Sequence, residues 1–222
     1  ATNTFTASST PEPTNDTTSS NPLPIELAEA SVQESSGDEE ARLTWKTATE
    51  YNNYRFYIDR RYLGESEQGE AEASEKSWNE IGHVDGSGTT SKPQSYSYTD
   101  NTLEKAGLYE YRIRQVDYDN SSTIYGPYQF NKEAPESFKL KANYPNPFNP
   151  TTTIPYTIPE EADVSIQIYN VIGKRVQTLV ESRQQAGTYR VNFQGGSLSS
   201  GTYFIRFEAA GRSFVRKMLL LK

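Results

Sequence analysis

Apolar residues along this chain recur at every second position in short runs. Turn-forming residues separate the runs at intervals of about ten, the pattern of half-buried strands in a β-sandwich. In the clearest run Tyr54, Phe56 and Ile58 share one face while Arg55, Tyr57 and Asp59 share the other. The alternation predicts strands over Ile25–Val32, Ala41–Thr47, Tyr54–Arg61, Trp78–Val84, Gln94–Thr99, Leu108–Asp117 and Ser122–Phe130. The polar stretch NKEAPES, residues 131–137, interrupts the pattern and marks a domain boundary. A second series is expected over Thr152–Ile158, Val164–Tyr169, Lys174–Glu181, Gly187–Phe193, Gly201–Glu208 and Ser213–Leu221. Within it VIGK and AAGR read as hairpin turns whose glycines suit positive φ. GTYRVNF from Gly187 and GTYFIRF from Gly201 are near repeats, each placing Tyr, an aliphatic residue and Phe on one face, as two equivalent core strands. The expected architecture is all-β: two tandem antiparallel β-sandwiches, residues 25–133 and 134–222, behind an extended N-terminal arm of residues 1–24.

The arm is rich in Thr, Ser, Asn and Pro, with Phe5 and Leu23 as its large apolar residues. Taken alone it buries too little surface to offset the entropy of ordering it. Thr and Phe5 in TNTFTAS nevertheless suit a strand, so the arm is expected to add to, or insert beside, a neighbouring copy of the chain. Residues 64–77 set Glu65, Glu67, Glu70, Glu72 and Glu75 against Lys76 and read as a solvated loop.

Composition narrows the chemistry. At 222 residues the chain suits two domains, and a hydrophobic fraction of 34% gives each a modest core. The 16 Tyr against 1 Met favour strands with one wet face. A net charge of −7, with no more than two adjacent basic residues anywhere, argues against a nucleic-acid partner. The apolar run Met218–Leu221 is far too short for a transmembrane segment, and the absence of cysteine removes disulfides and thiolate metal sites. His83 is the single histidine, so neither a zinc ligand set nor a conventional triad can be assembled; it reads as a partly exposed structural residue at a strand end. DYDNSS from Asp117 lacks the glycine of a calcium loop and has Tyr128 where the bidentate glutamate belongs, so it reads as a hairpin turn. No catalytic residue, cofactor or metal is expected, and the chain reads as a non-enzyme. Ala1 in place of Met fits a mature secreted product and equally an excised piece.

In ARLTWKT, Trp45 stands on the second strand, and LEKAGLYEYRIRQVD sets Tyr109 after Leu103 and ahead of alternating Tyr111 and Ile113. These features resemble a fibronectin type III domain over about residues 23–132. The resemblance implies that Trp45 fills the core, that Leu103 belongs to the signature, and that Tyr109 forms a tyrosine corner with its hydroxyl on upstream backbone. The acidic insertion at residues 64–77 departs from the compact family pattern.

The second half carries YPNPFNPTTTIPYTIP from Tyr144, VSIQIYNVIGKRVQTL from Val164, LSSGTYFIRF and the terminal RKMLLLK. Together they resemble a type A sorting domain of type IX secretion cargo, and are similar to the immunoglobulin-like part of the flagellar hook-capping protein. The resemblance implies a bacterial protein addressed to an outer-membrane translocon, with Lys217, Met218 and Lys222 in the end motif, and hence an extracellular or cell-surface location. From the residues themselves, Pro145, Pro147 and Pro150 fix φ and remove donors, so the segment Tyr144, Pro145, Asn146, Pro147, Phe148 is expected to pack as an extended clasp anchored by Tyr144 or Phe148. In the last strand Phe214, Met218 and Leu220 share one face and Val215, Leu219 and Leu221 the other, so neither face reads as clearly solvent-facing.

Three functions fit these readings: a self-assembling structural subunit of an extracellular filament or coat, the carrier region of a larger secreted enzyme or adhesin, and a module that binds glycan or protein. The expected partners are other copies of the chain and the secretion machinery, with Phe5, Lys217, Met218, Leu220 and Lys222 as the sorting and assembly residues.

Overall fold

The computed structural model describes residues 27–35, 40–64 and 77–222. The arm with Phe5, the start of the first predicted strand and the acidic stretch lie outside the described residues. Every regular element among the described residues is a strand. They divide into two compact units, one running to Leu103 and resuming over Gly107–Lys132, the other made of Glu104–Ala106 and Glu133–Lys222.

In the first unit β1 (Leu27–Glu34), β2 (Ala41–Thr47) and β5 (Gln94–Asp100) form one antiparallel sheet in the order β1-β2-β5. The other sheet holds β3 (Glu50–Gly64), β4 (Asn79–Thr90), β6 (Gly107–Asp117) and β7 (Ser122–Lys132) in the order β4-β3-β6-β7. Three strands facing four is the fibronectin-like arrangement the sequence leads one to expect. Strict alternation in β2 buries Ala41, Leu43, Trp45 and Thr47 and exposes the residues between them. Trp45 is 1% exposed, with the Phe56 ring edge-on at 5.4 Å and the Tyr96 ring stacked at 5.5 Å. Leu103 and Tyr109 are buried in the same core, the Tyr109 ring 4.9 Å from that of Tyr62.

Two strands are longer than the hydrophobic pattern suggests. β3 begins at Glu50, and β4 runs on through the glycine-rich DGSGTT. The Glu50 carboxylate holds both extensions, accepting from Thr47 Oγ1 (2.8 Å), Asn53 Nδ2 (2.8 Å), the Ser87 amide (2.9 Å) and Tyr96 OH (2.5 Å). Gly86 has to lack a side chain here, since a Cβ would lie 2.5 Å from the Asn53 amide.

In the second unit β8 (Lys139–Leu140), β9 (Thr151–Ile158) and β12 (Gly187–Gln194) form a sheet in the order β12-β9-β8. It faces β10 (Ala162–Asn170), β11 (Arg175–Gln184), β13 (Gly201–Ala209) and β14 (Arg212–Leu220), ordered β11-β10-β13-β14. The near repeats are β12 and β13, in opposite sheets. Their tyrosines are alike in detail: Tyr189 OH donates to Gln185 O and Tyr203 OH to Ser199 O, each at 2.8 Å and four residues upstream. This is tyrosine-corner geometry, and it ties each strand to the loop that delivers it. β8 is too short for a period-2 signal, which is why the pattern misses it, yet Leu140 is buried and pairs with Tyr156. The hairpin glycines Gly173 and Gly211 take φ of 76° and 72°.

Candidate functional site

The candidate site is the outer edge of β14 and the proline-rich segment laid along it. Proline has no N–H, so the backbone donors of YPNPFNP are few and each one matters. Phe148 N donates to Leu219 O and Leu221 N donates to Phe148 O, both at 3.0 Å, forming a parallel bridge between Phe148 and Leu220. Asn146 Oδ1 accepts from Leu219 N at 3.0 Å. The Phe148 ring is 1% exposed, 5.7 Å from that of Phe193, and makes Phe148 the anchor, whereas the Tyr144 side chain is 80% exposed and only its backbone pairs, with Thr153. Asn143 Nδ2 donates to Pro145 O (3.2 Å) and Thr152 Oγ1 (3.0 Å), and Thr152 Oγ1 donates to Pro145 O (2.8 Å). Further along the same edge Arg216 Nε donates to Leu140 O at 2.6 Å. The edge of β14 is thus capped by side chains and by a segment that cannot itself continue a sheet. Asn143, Thr152 and Arg216 are not marked by any sequence signal beyond their closeness to the prolines or the end motif.

The end-motif residues divide between two environments. Met218 and Leu220 are fully buried in the core, whereas Lys217 is exposed. Lys222 caps the far end, its ammonium donating to Gly196 O at 2.9 Å. Sequence alone leaves both faces of β14 ambiguous; the structure separates them. Met218 and Leu220 point inward, while Val215 and Leu221 are 60% and 48% exposed. The cause is layering: in a sandwich of two sheets each strand turns one face to the core and the other to water.

The first unit carries charged clusters with a different character. Asp100 is buried and accepts from Arg60 (2.6 Å), Thr102 Oγ1 (2.7 Å) and Tyr111 OH (2.8 Å). Burial would push its carboxyl up, but the Arg60 guanidinium and these hydroxyls outweigh burial and hold it below the ordinary value. Burial, and Asp100 beside it, push the Tyr111 hydroxyl well up. Burial and the bond to Glu50 push Tyr96 up to about 12. On the outer face Arg112 and Arg114 flank Asp59, and the guanidinium groups of Arg61 (4.6 Å) and Arg112 (4.5 Å) both lie over the Trp78 ring. His83 stands exposed within β4, its ring 6.0 Å from Tyr57. These charges are satisfied by one another, and no grouping of metal-binding side chains occurs among the described residues.

Residues 142–221 match the family model described as the secretion system C-terminal sorting domain. The similar solved structures include dimeric latent PorU from Porphyromonas gingivalis, at 13% identity and a TM-score of 0.33, covering 90% of this chain and 20% of that one. The FN1–FN3 domains of chicken CNTN1 match at 10% identity and a TM-score of 0.33, covering 90% of this chain and 66% of that one. The chicken interferon gamma receptor alpha chain matches at 12% identity and a TM-score of 0.30, covering 90% and 100%. The chain therefore spans about a fifth of the PorU structure. No curated protein sequence matches it. The sorting domain marks the protein as one exported by the type IX route to the cell surface or beyond. No helix among the described residues is long and apolar enough to cross a membrane.

Proposed function

We propose that this protein is a non-catalytic structural component of the bacterial cell surface that, once exported, assembles with copies of itself into a filament or coat. The observation that carries the reading is what the second unit leaves in water. Its core is complete, yet Val171, Ile172, Val215 and Tyr144 remain 68%, 81%, 60% and 80% exposed. Folding does not require apolar side chains there, and a contact between copies would cover them. The arm with Phe5 supplies a second route of attachment, a strand added to a neighbouring copy. In export, the outward Lys217 and the end-capping Lys222 are the residues open to recognition, while Met218 and Leu220 act by holding β14 in place.

Electron microscopy of native extracellular material tests the assembly reading, with fibres or sheets expected and dispersed monomers contradicting it. A variant lacking residues 1–18 is expected to polymerise less than the intact chain; equal polymer from both removes the arm from the mechanism. A second reading, a carrier region of a larger secreted enzyme or adhesin, accommodates the sorting-domain match equally well. Dispersed monomers carrying further domains would support it.

A further inference from the structure

The outward face of the sheet β11-β10-β13-β14 is graded in charge. Next to the β10–β11 hairpin the paired row is Arg175, Tyr169, Phe204, Lys217. Toward the other end, past Gln167 and Arg206, the row is Glu181, Ser165, Glu208, Ser213. The carboxylates of residues 137–222 are Glu160, Glu161, Asp163, Glu181 and Glu208. Of these, Glu161, Asp163, Glu181 and Glu208 line an open groove of about 800 Å³ at that second end, beside Ala209–Gly211, where the four carboxylates outnumber the two guanidinium groups of Arg183 and Arg212. Arg183 engages Glu161 and stands directly across the strand pair from Asp163, Arg206 engages Glu208, and Glu181 has no ion pair among the described residues.

The hairpin at the opposite end is built rigidly around an apolar tip. Asn170 Oδ1 accepts from the amides of Ile172 (3.2 Å) and Lys174 (2.9 Å), and Asn170 N donates to Lys174 O at 3.0 Å. Such turns are ordinarily filled by Gly, Asn or Asp. Here Val171 and Ile172 are held out, 68% and 81% exposed, with Lys174 and Arg175 immediately after them.

We propose that the Val171–Ile172 tip of one copy seats in the acidic groove of a second copy, with Lys174 and Arg175 meeting Asp163 and Glu181. The proposal rests on the self-assembly read above and names its interface. Charge complementarity points to a second copy: Lys174 and Arg175 follow the tip, and the groove at the other end of the sheet carries more carboxylates than guanidinium groups. Tip and groove lie at opposite ends of one sheet, so the contact is heterologous and propagates unless rotation closes it.

The test uses the full chain, with sedimentation velocity and electron microscopy as readouts and circular dichroism as a folding control. Val171→Ser with Ile172→Ser, and separately Asp163→Lys with Glu181→Lys, are each expected to weaken association at least tenfold. Mixing these two variants is expected to give dimers that do not extend, because each retains one working half of the contact. Lys174→Glu with Arg175→Glu is expected to weaken association and to regain it against the Asp163→Lys, Glu181→Lys variant. If the unaltered chain stays monomeric, the self-assembly reading itself fails. If the unaltered chain assembles and the tip and groove variants assemble equally well, this interface alone is overturned. It is overturned too if the tip variant assembles normally but loses binding to phosphatidylglycerol vesicles, an outcome that would assign the tip to a membrane.

Discussion

Single side chains in the first unit carry distinct energetic roles. Trp45 fills the space between the sheets against Phe56 and Tyr96, and its indole Nε1 has no hydrogen-bond partner, so its contribution is packing. Trp45→Ala is expected to destabilise this unit by about 3–5 kcal/mol in a denaturant titration; a loss below about 1 kcal/mol would contradict the packing argument. Asp100 contributes through charge. Its folded carboxyl lies below the ordinary 3.8, so its stabilisation is complete above the unfolded value and is lost as pH falls through the lowered folded value. The first unit is therefore expected to weaken in acid below about pH 4, and Asp100→Asn to flatten that slope while lowering stability at neutral pH, where Arg60 loses its partner. Acid titrations of the two proteins followed by tyrosine fluorescence check this. Trp45 is legible from the sequence because an apolar residue in an alternating strand has one place to go. Glu50 and Asp100 are not, since a buried carboxylate depends on donors gathered from several strands.

At the scale of elements, the clasp decides what β14 can do. Phe148→Ala is expected to cost about 3–5 kcal/mol by emptying the anchor site. Asn146→Ala removes the acceptor from Leu219 N and is expected to cost about 1 kcal/mol. Its signature is hydrogen exchange that quickens at Leu219 and Leu221 while amides inside β10 stay protected; unchanged exchange at Leu219 would show that the clasp does not guard the edge. The prolines make a segment poor in backbone donors readable from sequence, but not its path. The expected extended run is instead bent at residues 145–147 and 149–150, with cis bonds before Pro145, Pro147 and Pro150, and Phe148 anchors it while Tyr144 faces water. The strands were readable for the same local reason, except where glycines in β4 or the brevity of β8 hid the alternation.

For the whole molecule, export and folding meet in the last strand. Because Met218 and Leu220 are core residues, deleting residues 216–222 is expected to unfold the second unit, so retention of that variant would report lost folding as much as lost address. Lys217→Glu with Lys222→Glu leaves the buried side chains in place and is expected to keep the native circular dichroism while holding the protein in the periplasm. Normal levels of that variant in the medium would remove both lysines from the address. By itself the sequence determined the strands, the glycine-bearing hairpins and the sorting-domain likeness of the second half, because alternation, turn chemistry and short motifs are properties of neighbouring residues. Tertiary structure decided which edge is capped, which carboxylates are buried with partners and which apolar residues stay in water. Those outcomes depend on contacts between residues far apart in the chain, such as Leu219 and Asn146, 73 positions apart, and no local pattern encodes which distant partner arrives.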